Sequence, residues 1–454
     1  MKTLQKDLTT GNPGKIIFNF TLPIFIGNVF QQFYSMADTI IVGKFVGTKA
    51  LAAVGSTGTI MFLINGFILG MTAGFTVLTA QKFGAGDMKA MRKTVGNAAI
   101  LAIIMSLIMT VLGMMAMKPL LGIMKTPDDI FKDAYAYIMV ICGGIAAQML
   151  YNFLSSVLRA LGNSKVPLYF LILAALLNIV LDMVFIIAFH MGAAGAAWAT
   201  VLGQIASLAL AAVFHFRLNR ELPFRRKALR LRRSIVGEIY SIGVPAIIAQ
   251  GAMSVMNYCV NLIFGSLDSS YVTAYGIVYK IQQFVLFAVF GLRDAITPIV
   301  SFSYGMQNAK RIREGVRCGL MYTSVLMLVC TAAVEILAQP LAGIFSLSAG
   351  TMGLCVTGLR VLAVSFVFAG ANIAIQGVFQ ATEGGVQSLL VSLLRQLIFV
   401  LPAAWLFARL LPAGVWLAFP IAEVLTAVIA AVLLRHTAGK GRLSQQDHAA
   451  SLSK

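Results

Sequence analysis

The chain has 454 residues, of which 59% are hydrophobic and 11% are charged, and its mean hydropathy is +0.88. Water-soluble proteins carry about 25% charged residues, so this composition excludes an ordinary soluble enzyme. The formal net charge of +19 would suit an anionic partner or a membrane protein with a biased orientation. A polytopic helical membrane protein is the class that the composition favours.

Twelve apolar runs follow one another along the chain. Each is long enough to cross a bilayer, which takes about 20 apolar residues in a helix. A backbone exposed to lipid must satisfy its own hydrogen bonds, so every run is predicted to be helical. The predicted spans cover residues 16–41, 53–81, 94–117, 131–157, 166–189, 193–216, 235–263, 271–302, 316–337, 353–378, 387–408 and 413–434.

The distribution of Lys and Arg predicts the orientation of these spans. With the N-terminus in the cytoplasm, the tails and connections on the inner side carry 25 of these residues, and the connections on the outer side carry 6. Cytoplasmic loops of membrane proteins are enriched in Lys and Arg. The sequence therefore predicts a multi-pass protein of the cell (inner) membrane with both termini in the cytoplasm.

Eight of the basic residues lie in one connection, RLNRELPFRRKALRLRR at 217–233. We interpret it as a cytoplasmic linker that reinforces the orientation. Contact with anionic lipid headgroups is the alternative, because each basic residue near such a surface contributes about 1 kcal/mol. Nucleic acid is not expected as a partner, because stacking aromatic residues are not interleaved with the basic ones.

The two halves of the chain repeat one pattern. The segments LPIFIGNVFQQFY and VPAIIAQGAMSVMNY begin at Leu22 and Val244, an offset of 222 residues. The segments QKFGAGDMKAMRK and FSYGMQNAKRIRE align at an offset of 221. The protein is therefore interpreted as a duplicated unit of six spans.

Six spans return the chain to its starting side, so both halves insert with the same orientation. The predicted fold is an all-α polytopic membrane protein with two six-helix lobes, related by a pseudo-two-fold axis along the membrane normal. Such a plan is typical of a secondary transporter that works by alternating access around a cavity between the lobes. The predicted domains are an N-terminal lobe at 1–216, a basic linker at 217–234, a C-terminal lobe at 235–436 and a tail at 437–454.

Two acids lie deep in predicted spans of the N-terminal lobe. By the rise of an α-helix, Asp38 lies about 33 Å and Asp182 about 24 Å from the inner ends of the first and fifth spans. Gln31 precedes Asp38 by two helical turns, and Asn178 precedes Asp182 by one, so each amide shares a face with its acid. Ionisable groups inside a bilayer are costly and usually functional. The pattern predicts a proton or Na⁺ site; a purely structural hydrogen-bonding role is the alternative.

The C-terminal lobe has different charges. The positions that match the two acids are Val260 and Ala403. Lys280, Arg395 and Glu423 lie inside the predicted spans instead. We interpret them as a charge-paired structural network, with a substrate site or a second coupling site as the alternative.

Motifs of enzymes and pumps are missing from the sequence. It contains no HExxH, Walker loop, GxSxG or Cys/His metal spacing. We therefore expect no enzymatic activity, no cofactor and no metal beyond a Na⁺ at the coupling site. Without a nucleotide-binding motif, coupling to an ion gradient is favoured over an ATP-driven pump.

Several motifs together resemble the multidrug and toxic compound extrusion (MATE) family over nearly the whole chain. They are LPIFIGNVFQQFYSMADTIIVG, AQKFGAGD, LRALGNSKVPLY, NIVLDMVFI and GVFQATEGG, in this order on a duplicated twelve-span plan. Members of this family are cation-coupled exporters. The resemblance implies exchange of H⁺ or Na⁺ for amphipathic, often cationic compounds.

The resemblance also extends to a cation site in the N-terminal lobe, as in the DinF-type branch of the family. The acids of that site match Asp38 and Asp182, with Gln31 and Asn178 beside them. It further implies three site residues on the fourth and sixth spans, Tyr137, Asn152 and Thr200. A second branch uses acids in the seventh and tenth spans, where this chain has no carboxylate.

These observations predict a multidrug antiporter that contributes to xenobiotic export and antibiotic resistance. Cation occupancy at the two acids is expected to bend or repack the first span. The expected partners are small amphipathic substrates and membrane lipids, and the protein is expected to act as a monomer. The alternative is a lipid or lipid-linked oligosaccharide flippase of the same superfamily, which should have a more basic cavity than this sequence provides.

Overall fold

The computed structural model describes residues 13–218, 229–345 and 347–439. Much of the predicted basic linker (219–228) and of the predicted tail (440–454) lies outside the described residues. The described helices are α1 (Pro13–Ile41), α2 (Thr48–Ser56), α3 (Gly58–Gly84), α4 (Met88–Ile123), α5 (Asp128–Ala160), α6 (Lys165–Asp182), α7 (Gly192–Val213), α8 (Arg233–Gly265), α9 (Ser269–Gly305), α10 (Ala309–Gly343), α11 (Ala349–Ala381), α12 (Gly385–Leu393), α13 (Val400–Leu410) and α14 (Ala418–Gly439).

Within the described residues, twelve helical stretches are long and apolar enough to cross a membrane. They follow the predicted spans in order, so the all-helical, twelve-span fold class is confirmed. The second predicted span begins at 53, inside α2, and the helix breaks at Thr57 before α3. The hydroxyls of Ser56 and Thr57 donate to the carbonyls of Ala53 and Val54, respectively, at 2.7 Å. Such side-chain hydrogen bonds compete with the backbone hydrogen bonds of a helix.

Short π-helical segments extend four of the spans. They are Val42–Val46 after α1, Met183–Ala188 after α6, Phe214–Leu218 after α7 and Leu394–Ile398 between α12 and α13. A π segment inserts extra backbone into a helix and is frequent at functional sites. Asp182 directly precedes one of these segments, Arg395 lies inside another, and Asp38 lies one helical turn before a third.

The chain divides into two compact units. Within the described residues, the first contains residues 22–243, and the second contains residues 13–21 and 244–439. The first unit holds α2 to α7 with most of α1, and the second holds α9 to α14 with most of α8. The core of the second unit is rich in aromatic rings, with Phe264 packed edge-on against Tyr275 and Trp416 at centroid distances of 5.1 and 5.0 Å.

The repeat persists in local structure. The side chain of Asp87 caps α4 by accepting from the Ala90 amide at 2.8 Å. Asn308, at an offset of 221, caps α10 by accepting from the Arg311 amide at 2.9 Å. Asp and Asn are both preferred N-cap residues because a side-chain oxygen satisfies a free amide of the first turn. One structural role has thus been retained in both halves with different side chains.

A glycine allows close packing of α5 against α7 in the first unit. A Cβ at Gly144 would lie 3.0 Å from Cγ1 and 3.2 Å from Cβ of Val201. Real side-chain atoms are rarely this close, so any larger residue would push the two helices apart. Val201 follows Thr200, so this contact fixes the position of one predicted site residue.

We expect Gly144→Ala to lower the free energy of unfolding by about 1–3 kcal/mol relative to Gly143→Ala, because the added methyl overpacks the α5–α7 contact. A Cβ at the neighbouring Gly143 would meet nothing within 4 Å, so that variant controls for the change in helix propensity. Thermal unfolding of the purified protein in detergent measures the difference. Equal stability of the two variants would contradict this packing argument.

Candidate functional site

The two predicted acids of the first unit each lie beside a π segment. Asp38 lies three residues before the end of α1, and Asp182 is the last residue of α6. Both side chains are buried, with exposed fractions of 9% and 0%. Both carboxyls thus lie in the protein interior, and the fold brings these two predicted site residues together.

The carboxyls of Asp38 and Asp182 lie close enough to interact with each other. An ionised carboxylate only accepts hydrogen bonds, so neither can donate to the other without a proton. Oδ1 of Asp38 and both carboxyl oxygens of Asp182 accept no hydrogen bond from any described residue. No described Lys, Arg or His forms an ion pair with either acid. A buried pair of this kind needs a bound positive charge, because an uncompensated buried charge is strongly unfavourable.

Two tyrosines stand next to this pair. Tyr137 on α5 is buried and lies close enough to both carboxyls to interact with them electrostatically. Tyr34 lies one helical turn before Asp38, contacts the Gln31 side chain and is close enough to both acids to interact with them electrostatically. The sequence analysis named Tyr137 but missed Tyr34. Its four-residue spacing from Asp38 was the available signal, since residues four apart share a helix face.

A small cavity lies within the first unit, and it is lined by residues one helical turn from each acid, Tyr34 and Asn178. Asp38, Asp182 and Tyr137 do not line it themselves. Its volume is about 20 Å³, room for about one water-sized species. Of its lining residues, the sequence had named Gln31, Asn178 and Thr200 and had missed Tyr34, Tyr151, Gln204 and Ser207.

The amides of this cavity have free oxygens. The Asn178 amide nitrogen donates to the Thr200 hydroxyl at 3.3 Å. The amide oxygens of Asn178 and Gln204 are buried and accept no hydrogen bond from the described residues. Carboxylate and amide oxygens are the ligands that hard cations prefer. The cavity and the acid pair therefore have the donor set of a proton or alkali-cation site.

Asn152 has a different environment from the other predicted site residues. Its amide nitrogen donates to the Gln148 carbonyl at 2.9 Å, one turn earlier in α5. The Gln148 side chain in turn donates to Asn65 on α3 at 2.7 Å. Asn152 is not among the residues that line the cavity.

The second unit has an ion pair where the sequence placed three charges. Nε of Arg395 lies 2.6 Å from Oε1 of Glu423, with side-chain exposures of 7% and 8%. The Asn372 amide donates to Oε2 of Glu423 at 2.8 Å and to its backbone carbonyl at 3.0 Å. Lys280 is exposed and forms no ion pair with the described residues. The network thus consists of Arg395, Glu423 and Asn372, and Asn372 had not been singled out.

Comparison with known proteins identifies relatives of the whole chain. The sequence model of the MatE family matches residues 23–184 and again residues 245–406. The two matches start 222 residues apart, which is the offset of the internal repeat. The repeat is therefore one family domain present twice.

Individual relatives cover almost the full length. The probable multidrug resistance protein YpnP of Bacillus subtilis (strain 168) is 29% identical over 91% of this chain and 94% of its own. The multidrug export protein MepA of Staphylococcus aureus (strain bovine RF122 / ET3-1) is 21% identical over 92% and 93%. An outward-facing structure of a multidrug resistance MATE family transporter of the MOP superfamily superposes with a TM-score of 0.92 at 24% identity, covering 98% of this chain and 99% of that one. This structural similarity shows that the chain has the same fold as that transporter.

We expect Asp182→Asn to raise the free energy of unfolding at alkaline pH by about 1.5–3 kcal/mol, because the new amide donates to the Asp38 carboxylate in place of a like charge. Thermal unfolding in detergent measures the change. Asp182→Leu is the matched control, since it removes the charge without supplying a donor, and it should be less stable than Asp182→Asn. A lower stability of Asp182→Asn than of the unmodified protein would contradict the arrangement.

Proposed function

The chain belongs to the MatE family, and we propose that it is a transporter and not an enzyme, specifically a secondary active multidrug exporter. In this proposal it exchanges H⁺ or Na⁺ for amphipathic, often cationic compounds by alternating access. The names of the relatives YpnP and MepA support the export of drugs. The proposed partners are small amphipathic molecules and membrane lipids, and the monomer is the proposed working unit.

One observation carries the coupling part of the proposal: the buried pair of Asp38 and Asp182 has no donor and no basic partner among the described residues. Two like unit charges 4 Å apart repel by about 4 kcal/mol at an effective dielectric constant of 20. A shared proton or a bound Na⁺ removes this repulsion. The pair therefore changes its energy strongly with cation occupancy, as a coupling site must.

The elements that carry the acids are suited to respond to occupancy. Asp38 lies in the last turn of α1 before the π segment Val42–Val46, and Asp182 directly precedes the π segment Met183–Ala188. Such segments are uncommon inside helices and occur frequently at functional sites. In our proposal, binding of the cation draws the two carboxyls together, and release lets α1 repack. A cation that favours one packing of α1 over the other shifts the equilibrium between them.

Roles for the surrounding side chains follow from their chemistry. Gln31, Asn178 and Thr200 offer amide and hydroxyl oxygens to a cation or to a water that accompanies it. Tyr34 and Tyr137 offer hydroxyl donors that stabilise the carboxylates when the cation has left. Asn152 holds α5 through its bond to Gln148 and is proposed to support the site from outside the cavity.

Asp38→Asn is expected to abolish cation-coupled transport. An amide cannot bind and release a proton, and Asp182 alone does not form the paired carboxylate site. Uptake of a fluorescent cationic dye into everted membrane vesicles measures transport, with a pH gradient and a Na⁺ gradient imposed in separate experiments. The gradient that drives the unmodified protein identifies the coupling ion.

Asp268→Asn serves as the matched control for this variant. Asp268 caps α9 by accepting from the Ser270 amide at 2.7 Å, and Asn fulfils the same capping role. Its uptake should equal that of the unmodified protein. Undiminished, gradient-driven uptake by Asp38→Asn would overturn the assignment of the coupling site. Movement of labelled lipid without dye uptake would favour the flippase alternative.

We also propose that both termini lie in the cytoplasm, on the basis of the Lys and Arg bias in the connections. A green fluorescent protein fused after Lys454 should fluoresce in bacterial cells, because it folds on the cytoplasmic side. An alkaline phosphatase fusion at the same position should be inactive. The reverse pair of results would contradict this orientation.

A further inference from the structure

The repeat relates the cavity of the first unit to one in the second. At an offset of 222, Gln31 corresponds to Met253 and Tyr34 to Met256. Both methionines line a cavity of about 20 Å³ that lies wholly within the second unit. Val400, which also lines it, lies within one residue of the position that matches Asn178 at the offset of 221 to 222. The two cavities therefore occupy equivalent places in the duplicated fold.

The polar groups of the two cavities are arranged differently. The residues that match Asp38 and Asp182 in the second unit are apolar. The polar residues Arg395, Gln396 and Glu423 line the second cavity instead, and they match apolar residues of the first unit. The two halves have thus kept the position of the cavity but differ in the polar side chains in and around it.

The carboxylate of the second cavity already has a positive partner. Arg395 binds Glu423 at 2.6 Å, and both side chains are more than nine-tenths buried. The guanidinium remains charged at any accessible pH, and its covalent tether prevents its release. The π segment Leu394–Ile398 carries Arg395 and Gln396 together, and both side chains are buried and line the cavity.

Some of the hydrogen-bonding capacity around this pair is unused. Arg395 donates one side-chain hydrogen bond to the described residues, from Nε to Glu423. The two terminal nitrogens of its guanidinium donate none to these residues. The amide oxygen of Gln396 is buried and has no donor among the described residues. Tyr279, Met253 and Phe419 supply the apolar part of the wall. A carboxylate flanked by free acceptors and aromatic rings is the environment that binds an organic cation.

We propose that the second cavity is a cation site whose cation is the guanidinium of Arg395. This inference rests on the proposed function, in which the first unit exchanges a free cation at Asp38 and Asp182. The second unit holds its cation permanently, so it contributes no exchangeable ion, and the transporter couples through one unit only. Removal of the guanidinium then opens a site at Glu423 for a small organic cation of the guanidinium class.

The test uses Arg395→Ala, which removes the tethered cation and leaves space for a free one. The purified full-length protein is titrated with methylguanidinium, and binding is measured calorimetrically and as the rise in melting temperature. We expect Arg395→Ala to bind methylguanidinium at least tenfold more tightly than the unmodified protein. Methylurea, a neutral molecule of similar shape, should not bind.

Two further variants assign the site. Arg395→Ala combined with Glu423→Gln should not bind methylguanidinium more tightly than the unmodified protein, because the carboxylate that binds it is removed. Arg395→Ala combined with Asp38→Asn should bind methylguanidinium as tightly as Arg395→Ala alone, because the two sites lie in different units. Failure of the coupling proposal would therefore leave this result unchanged. A folded Arg395→Ala that binds no better than the unmodified protein, or binding that survives Glu423→Gln, would overturn the proposal.

A measurement on the unmodified protein keeps the proposal testable if Arg395→Ala does not fold. Dicyclohexylcarbodiimide modifies carboxyls that carry a proton in an apolar environment. Peptide mapping after labelling in membranes should find Glu423 unmodified, because its carboxylate is already bound to the tethered guanidinium. Modification of Glu423 to the extent found at Asp38 would show that its cation is exchangeable and would refute the tethered-cation site.

Discussion

The structure depends on how a carboxylate is tolerated in an apolar interior. Burial removes water from the charged group, and the loss must be offset by a proton, a cation or a set of donors. Asp38 and Asp182 have neither donors nor a basic partner among the described residues. Glu423 has both, in Arg395 and Asn372. The first arrangement calls for an external positive charge, and the second is complete within the protein.

This contrast lies on a common backbone. The family domain occurs twice, the helix caps at Asp87 and Asn308 match, and the two cavities lie at matching places. Duplicated halves that keep the same helices are free to differ in the side chains that face a cavity, because a cavity residue contributes little to the packing of the helices. The two halves therefore share a scaffold and differ in their electrostatics.

Sequence reasoning was most successful where helical periodicity applies. Gln31 with Asp38 and Asn178 with Asp182 were paired from their spacing on one helix. Asp38, Asn178 and Asp182 are buried, and Gln31 and Asn178 line the cavity. Tyr34 had the same signal and was overlooked. Tyr137 and Thr200 had no spacing argument and were found only by resemblance to a family, because they lie on other helices. Residues on separate helices share no periodic relation that one sequence reveals.

The sequence by itself determined the twelve spans and the duplication, because these follow from hydropathy and internal similarity. Only the tertiary structure decided which charges meet. It joins Asp38 to Asp182 across α1 and α6, binds Arg395 to Glu423 over 28 residues of chain, adds Asn372 and leaves Lys280 exposed. The reason is that the side chains around a buried charge come from several helices, and their rotation and spacing are set by packing that no single helix encodes.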